Sequence, residues 1–315
     1  MNSEQYTSRS HRTTFKPKKS HSTLKTVLTT LGVLLAVIAI ALGALGFKVY
    51  SDAKTAVNAT QDPKASSISV TTADFANKDP FTTLIVGTDT VAGQKVATTI
   101  VLAAINPTTE KTTFLNIAPD IIMSDEKTTF AQFYREQGLQ ATINKLQSLF
   151  NVKINKYALL DMNMLGSLTQ ATGGVAVENA TTFSADGYSF NVGTLNLKTT
   201  AKTNAYLDYR ETDTEDSFLT RQQGVGMALL DNLKQPKILV THYSAILDTL
   251  SANVKTNITF ADSRTIARNY YQALQTTTKI NLHTNTDKST GVAIKSLNTT
   301  KAAKAGQTFN EALAN

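Results

Sequence analysis

Two aspartates stand where this chain could do chemistry. Asp89 follows the run Leu84-Ile85-Val86-Gly87-Thr88, and Asp120 follows Phe114-Leu115-Asn116-Ile117-Ala118-Pro119. Both runs are short, continuous and rich in β-branched residues, so they read as strands rather than helices. Carboxylates just beyond strand ends are where open α/β sheets place their ligands. The plainer reading, that each aspartate caps the amides of its own turn, stays open beside it. Other chemistries lack the residues to carry them. There is no cysteine, hence no thiol nucleophile, disulfide or thiolate zinc site. His11 and His21 lie near the N-terminus, while His242 and His283 have no metal-ligand spacing, and no nucleophile elbow, phosphate loop or HExxH helix occurs.

The elements that must position the two aspartates follow from the pattern. Ile100 to Ile105 is a third apolar run between the first two, and the three read as neighbouring strands buried on both faces of a sheet. Ala131 to Phe150 places Leu139, Ile143, Leu146 and Phe150 on one helical face, with Gly138 weakening its first half. Lys156 to Asp161 reads as a strand and Met162 to Thr172 as a short helix. Gly173-Gly174 ends that helix, the first glycine being able to take the left-handed C-cap. The apolar faces of these two helices have the spacing to cover one side of a cavity beside the sheet. Val175 to Val177 is a strand, Tyr188 to Leu197 alternates around Gly193 like a hairpin, and Phe218 to Leu233 is a helix. Further helices are expected over Ile238–Ala252 and Ala261–Leu274, with closing strands at Lys279–His283 and Gly291–Leu297. Residues 299–315 read as a flexible polar end.

The formal charge of +7 on 315 residues suggests nucleic acid until its placement is considered. Six of the 31 basic residues but one of the 24 acidic ones precede Val27, leaving 25 against 23 for everything after. Residues 1–25 read as a disordered basic tail. Val27 to Phe47 holds no charge, and as a helix it would be about 30 Å long, enough to cross a bilayer core. It is longer than the apolar region of a cleaved signal peptide, so residues 26–47 read as a transmembrane anchor. The basic tail places the N-terminus in the cytoplasm and the rest outside the cell membrane. Residues 48–78 read as a juxtamembrane linker, and 79–298 as the extracellular domain.

Taken in order, the basic tail, single span, LIVGTD, TTIVLAAINP, FLNIAPD, NKYALLDMNMLGSLTQATGGVAV, FNVGTLNL and YLDYRETDTEDSFLTRQQ resemble the LytR–CpsA–Psr family of bacterial envelope proteins. The likeness runs from about Asp79 to Leu297. It implies an α/β fold, a central mixed sheet sandwiched by helices, with an apolar pocket for a polyprenyl chain. It also implies transfer of a glycopolymer, such as wall teichoic acid or capsule, from a polyprenyl-pyrophosphate carrier to peptidoglycan at the surface of a Gram-positive-type cell. The physical logic is phosphoryl transfer, in which a divalent cation and arginines neutralise the pyrophosphate. Arginine suits this because its planar fork grips phosphate oxygens at two points.

Carried onto this sequence, the resemblance makes Asp89 the metal ligand, Arg210 and Arg221 the catalytic arginines, and Asp120 and Gln222 substrate contacts. The family's second metal aspartate, in an Arg-Ser-Asp-Thr segment, falls on Thr98 within Val96-Ala97-Thr98-Thr99. Its Pro-Arg-Asp reads Ala118-Pro119-Asp120, its Arg-x-Arg reads Arg210-Glu211-Thr212, and its Asp-x-x-Arg-x-x-Arg-Gln reads Glu215, Phe218, Arg221, Gln222. Losing one arginine at a transferring phosphoryl group costs on the order of 10³–10⁵ in rate. The expectation is therefore a membrane-anchored relative that binds lipid-linked glycopolymer with impaired transferase chemistry and holds Mg²⁺ weakly. A fully active ligase is the alternative. Peptidoglycan, the cytoplasmic membrane and sister proteins of the family are the expected partners, and nucleic acid is not. A DNA-binding attenuator would need a cytoplasmic domain, and roughly 25 residues are too few to fold one. Tyr206 and Tyr209 are open to two roles, stacking on a sugar or packing in the core.

Overall fold

The computed structural model describes residues 47–91, 93–209, 215–233, 235–280, 282–287 and 294–314. Its centre is a six-stranded mixed sheet. Strands β1 (Phe81–Val91), β2 (Gln94–Asn106) and β3 (Lys111–Ile117) form an antiparallel meander. Strand β6 (Lys156–Asp161) lies parallel to β1, β11 (Val254–Thr256) antiparallel to β6, and β12 (Thr277–Ile280) parallel to β3. The order is β11-β6-β1-β2-β3-β12. A smaller sheet holds β4 (Ile122–Met123), β5 (Thr128–Thr129), β13 (Asn285–Asp287) and β14 (Ile294–Leu297).

Both faces of the large sheet are buried, which is why its strands read as continuous apolar runs. Phe81, Ile85, Val101, Ala103 and Phe114 face one core, shared with helices α3 (Met164–Ala171), α4 (Thr200–Asp208), α5 (Glu215–Leu233), α6 (Pro236–Asn253), α7 (Phe260–Asn269) and α8 (Tyr271–Gln275). Leu84, Val86, Ile100, Leu102 and Leu115 face the other, beneath α2 (Phe130–Phe150) and α9 (Thr299–Leu313). Between α3 and α4 run β7 (Val175–Asn179), β8 (Phe183–Ala185), β9 (Tyr188–Phe190) and β10 (Gly193–Leu197).

Several expectations are corrected. Residues 299–313 are no flexible end. They form α9, capped by the Asn298 side chain, with Ala302, Ala305, Gly306 and Phe309 buried. Much of the linker is docked as well. Helix α1 (Phe47–Ala59) packs Ala53 and Ala56 on Leu247, and Gln61 bridges to Thr256. Tyr188–Leu197 is not one hairpin, because β9 pairs with β8 and β10 with β7. The helix expected over Ala261–Leu274 is two, divided at Tyr270, whose hydroxyl donates to Asp79 O at 2.7 Å. Gly138 breaks α2 outright, with φ 77° and ψ −174°. The faces of α2 and α3 cannot cover one cavity, since Ile143 and Leu146 lie in one core and Leu165 and Leu168 in the other. The Gly173-Gly174 stop holds. Both residues have positive φ, and Gly174 N–H reaches back to Thr169 O at 2.8 Å, the six-to-one bond of a Schellman cap.

Candidate functional site

Topology brings the two aspartates to one end of the sheet. β1, β3, β6 and β12 all run the same way, so their carboxyl ends share an edge, the edge at which α/β sheets bind ligands. Asp89 is half-buried near the end of β1 opposite Val96, and Asp120 is exposed in the turn after β3. Asp161, which sequence reasoning did not single out, ends β6 beside Thr88. Its carboxylate takes the Lys95 ammonium at 2.6 Å and two N–H groups of Asn163. Burial alone would push Asp161 up, but Lys95 and Asn163 outweigh it and hold the carboxyl below the usual range. The signal in the sequence was its position after the apolar run of β6, the same signal that marked Asp89.

A bulge interrupts β1 and β2 between Gly87 and Thr88, leaving Thr98 as the extra residue. The Thr98 hydroxyl donates to Gly87 O at 3.4 Å. Gly87 has no room for a side chain, since a Cβ would lie 2.8 Å from Met162 Sδ and 3.0 Å from Thr99 Cβ. Strand alternation puts Asp89 on the face of β1 shared by Ile85 and Gly87, the face covered by the α3–α6 layer.

From that layer comes Arg221, in α5 and 6% exposed. Its Nε donates to Tyr206 O at 2.7 Å and its Nη2 to Tyr209 O at 2.6 Å, satisfying carbonyls at the end of α4. The guanidinium carbon lies 5.1 Å from the Phe183 ring centre and 5.7 and 5.8 Å from those of Tyr206 and Tyr209. Gln222 beside it is also buried. Tyr206 is a core residue, 1% exposed, and Tyr209 stacks on Phe183 with ring centres 4.3 Å apart. Arg210 lies outside the described residues.

Among the described residues no three His, Cys, Asp or Glu side chains are grouped to hold a metal. Asp89, with Thr98 in the second position, offers one carboxylate. Mg²⁺ binds through one or two carboxylates plus substrate phosphates, so the donors fit an ion arriving with a pyrophosphate but make no cage of their own. An open groove of about 480 Å³ lies at the opposite end of β1, lined by Asp74, Phe75, Asp79 and Asp262.

The sequence model of the LytR_cpsA_psr family matches residues 44–311. The chain belongs to that family. The polyisoprenyl-teichoic acid–peptidoglycan teichoic acid transferase TagU of Enterococcus faecalis is 28% identical over 251 residues, 77% of this chain and 82% of that one. Among solved structures, a transcriptional regulator from Enterococcus faecalis is 25% identical with a TM-score of 0.57, covering 77% of this chain and 90% of that one. TagT bound to LI-WTA superposes with a TM-score of 0.54 over 81% of this chain and 96% of its own; at 19% identity this is a likeness of fold.

Proposed function

We propose that this LytR–CpsA–Psr protein is anchored in the cell membrane by residues 26–47, with its N-terminus cytoplasmic and its domain outside. There it binds polyprenyl-pyrophosphate-linked glycopolymers destined for peptidoglycan, with weakened phosphotransferase chemistry. Family membership supports the substrate class, and the names of relatives such as TagU point to teichoic acid and peptidoglycan. The charge asymmetry of the sequence supports the anchor. No helix among the described residues is long and apolar enough to cross a membrane, and the apolar run lies outside them except for Phe47.

Two observations carry the weakened chemistry. Where the family pattern has a second carboxylate, this chain has a threonine whose hydroxyl bonds to Gly87 O. Where it has a phosphate-binding arginine, Arg221 is buried and commits two of its five N–H donors to backbone carbonyls. A pyrophosphate at the carboxyl edge of the sheet would rely on Arg210 and on Lys95, which would have to leave Asp161. A lysine supplies charge without the two-point fork. Mg²⁺ carried in by the substrate would rest on Asp89 and add neutralising charge while bound. The expected order is that Arg210→Ala weakens pyrophosphate-lipid binding more than chelation of metal does. The decisive experiment reconstitutes the full chain beside a relative that retains the family arginines and compares transfer of lipid-linked polymer to peptidoglycan. Binding with transfer near background supports the proposal. Transfer at the relative's rate would overturn it in favour of an active ligase.

A further inference from the structure

Helices α1 and α6 lie side by side and run in the same direction. Tyr243 Oη donates to Asp52 Oδ2 at 3.2 Å, Ala53 and Ala56 meet Leu247, and Asp62 N–H donates to Thr256 O while Thr256 N–H donates to Thr60 O, both at 2.9 Å. Gln61 Nε2 adds a bond to Ile258 O at 2.5 Å. Progress along α1 therefore matches progress along α6 into β11. Extended back from the Asp52–Tyr243 contact by five residues, roughly 7.5 Å on each helix, Phe47 comes level with Ile238. Phe47 is the last residue of the uncharged 21-residue run that begins at Val27. The first turn of α6 thus stands beside the point where the chain would leave the bilayer.

That turn is dressed for a lipid surface. Val240 is 59% exposed, the highest exposure of any large apolar side chain among the described helices; Ile238 is half-buried and Lys237 exposed. No acidic residue occupies the first turn, which opens with Pro236. A helix N-terminus with a lysine presents positive charge to anionic headgroups, and Lys can bury its stem while its ammonium stays at the interface. We propose that the first turn of α6, through Lys237, Ile238 and Val240, rests in the headgroup layer of the outer leaflet. Two contacts with the membrane, the span and this turn, then hold the domain at a fixed tilt and height, which a flexible tether would not do. The inference rests on the reading of Val27–Phe47 as a membrane span.

The chain has no cysteine, so single labels are simple to introduce. The full-length protein carrying Val240→Cys or Tyr271→Cys, each with an environment-sensitive fluorophore, would be reconstituted in vesicles of phosphatidylcholine and phosphatidylglycerol containing headgroup spin-labelled lipid. Tyr271 is 46% exposed, on α8 near β3 and away from the β11 edge. The expected result is flotation of both variants with the vesicles and quenching several-fold stronger at 240 than at 271. Flotation with equal quenching would overturn the contact while leaving the anchor intact. Failure to float would overturn the anchor and the contact together. Shielding of position 240 that grows with protein density and is not quenched by lipid would assign the turn to a second copy of the chain, which also refutes the proposal.

Discussion

Replacing Arg221 separates a structural clamp from a phosphate ligand. Truncation to alanine leaves the Tyr206 and Tyr209 carbonyls without the donors they now have at 2.7 and 2.6 Å. An abandoned buried acceptor costs about 1–3 kcal/mol, and a desolvated cation over aromatic faces contributes on the order of 1–2 kcal/mol. These terms overlap, and water entering the gap recovers part of the loss. The expected net cost of Arg221→Ala is therefore about 3 kcal/mol, a large share of the 5–15 kcal/mol by which such domains are stable. For a domain of this size that corresponds to a fall in melting temperature of roughly 10 °C. Arg221→Lys should lose about half as much, because one ammonium cannot reach two carbonyls in a fixed fork. The assay is thermal and urea unfolding of the full chain in detergent. Near-ultraviolet circular dichroism can follow tyrosine packing, since the chain has no tryptophan. Arg210→Ala, run beside it, should weaken binding of pyrophosphate lipid. If Arg221→Ala kept the wild-type midpoint while binding collapsed, Arg221 would be no clamp and would belong to the substrate.

Three further outcomes follow from the same geometry. Gly306→Ala would put a Cβ 1.7 Å from Phe150 O, forcing α9 off the end of α2, so it should destabilise by about 3 kcal/mol in urea unfolding, although alanine is the better helix former by about 1 kcal/mol where nothing intervenes. Thr98→Asp should make the melting temperature rise with Mg²⁺, because a second carboxylate would stand near Asp89; an unresponsive variant would show that the bulge does not aim position 98 at the site. Asp161 is held below its usual value of 3.8, so its pairing stabilises the fold above that value and is lost as pH falls through the lower, folded value. Lys95→Ala should accordingly cost no more than about 1 kcal/mol near neutrality, since Lys95 is more than half exposed, and nothing once Asp161 is protonated. A constant difference across the acid range in pH-dependent unfolding would contradict that.

The central sheet was legible because burial on both faces leaves a continuous apolar run in each strand. Leu84 to Val86 and Ile100 to Ile105 advertise themselves, while flanking polar residues such as Thr82 and Thr88 hid the strands' full length. α9 was legible in principle: Ala302, Ala305, Gly306 and Phe309 repeat at helical spacing behind an asparagine cap. Small residues carry little hydropathy, so the stripe reads as a polar end. The same applies to Ala53 and Ala56 of α1, whose burial depends on a partner helix nearly two hundred residues later.

The site shows where pattern reading meets its limit. Asp89 and Asp120 could be placed at one edge from strand order alone, because two strands separated by one antiparallel neighbour point the same way. Arg221 could not be placed so. Arg-Gln-Gln at the start of a helix is compatible with a phosphate ligand, but what an arginine does is set by what surrounds it. Here the surroundings are Phe183, from a hairpin far back in the chain, and two carbonyls at the end of α4. A planar cation over aromatic faces with two donors on backbone oxygens is held in place without a ligand. A substrate would have to offer more than those partners do to draw these donors away, and Lys95, more than half exposed beside Asp161, is the cation at that edge whose partner is easier to displace.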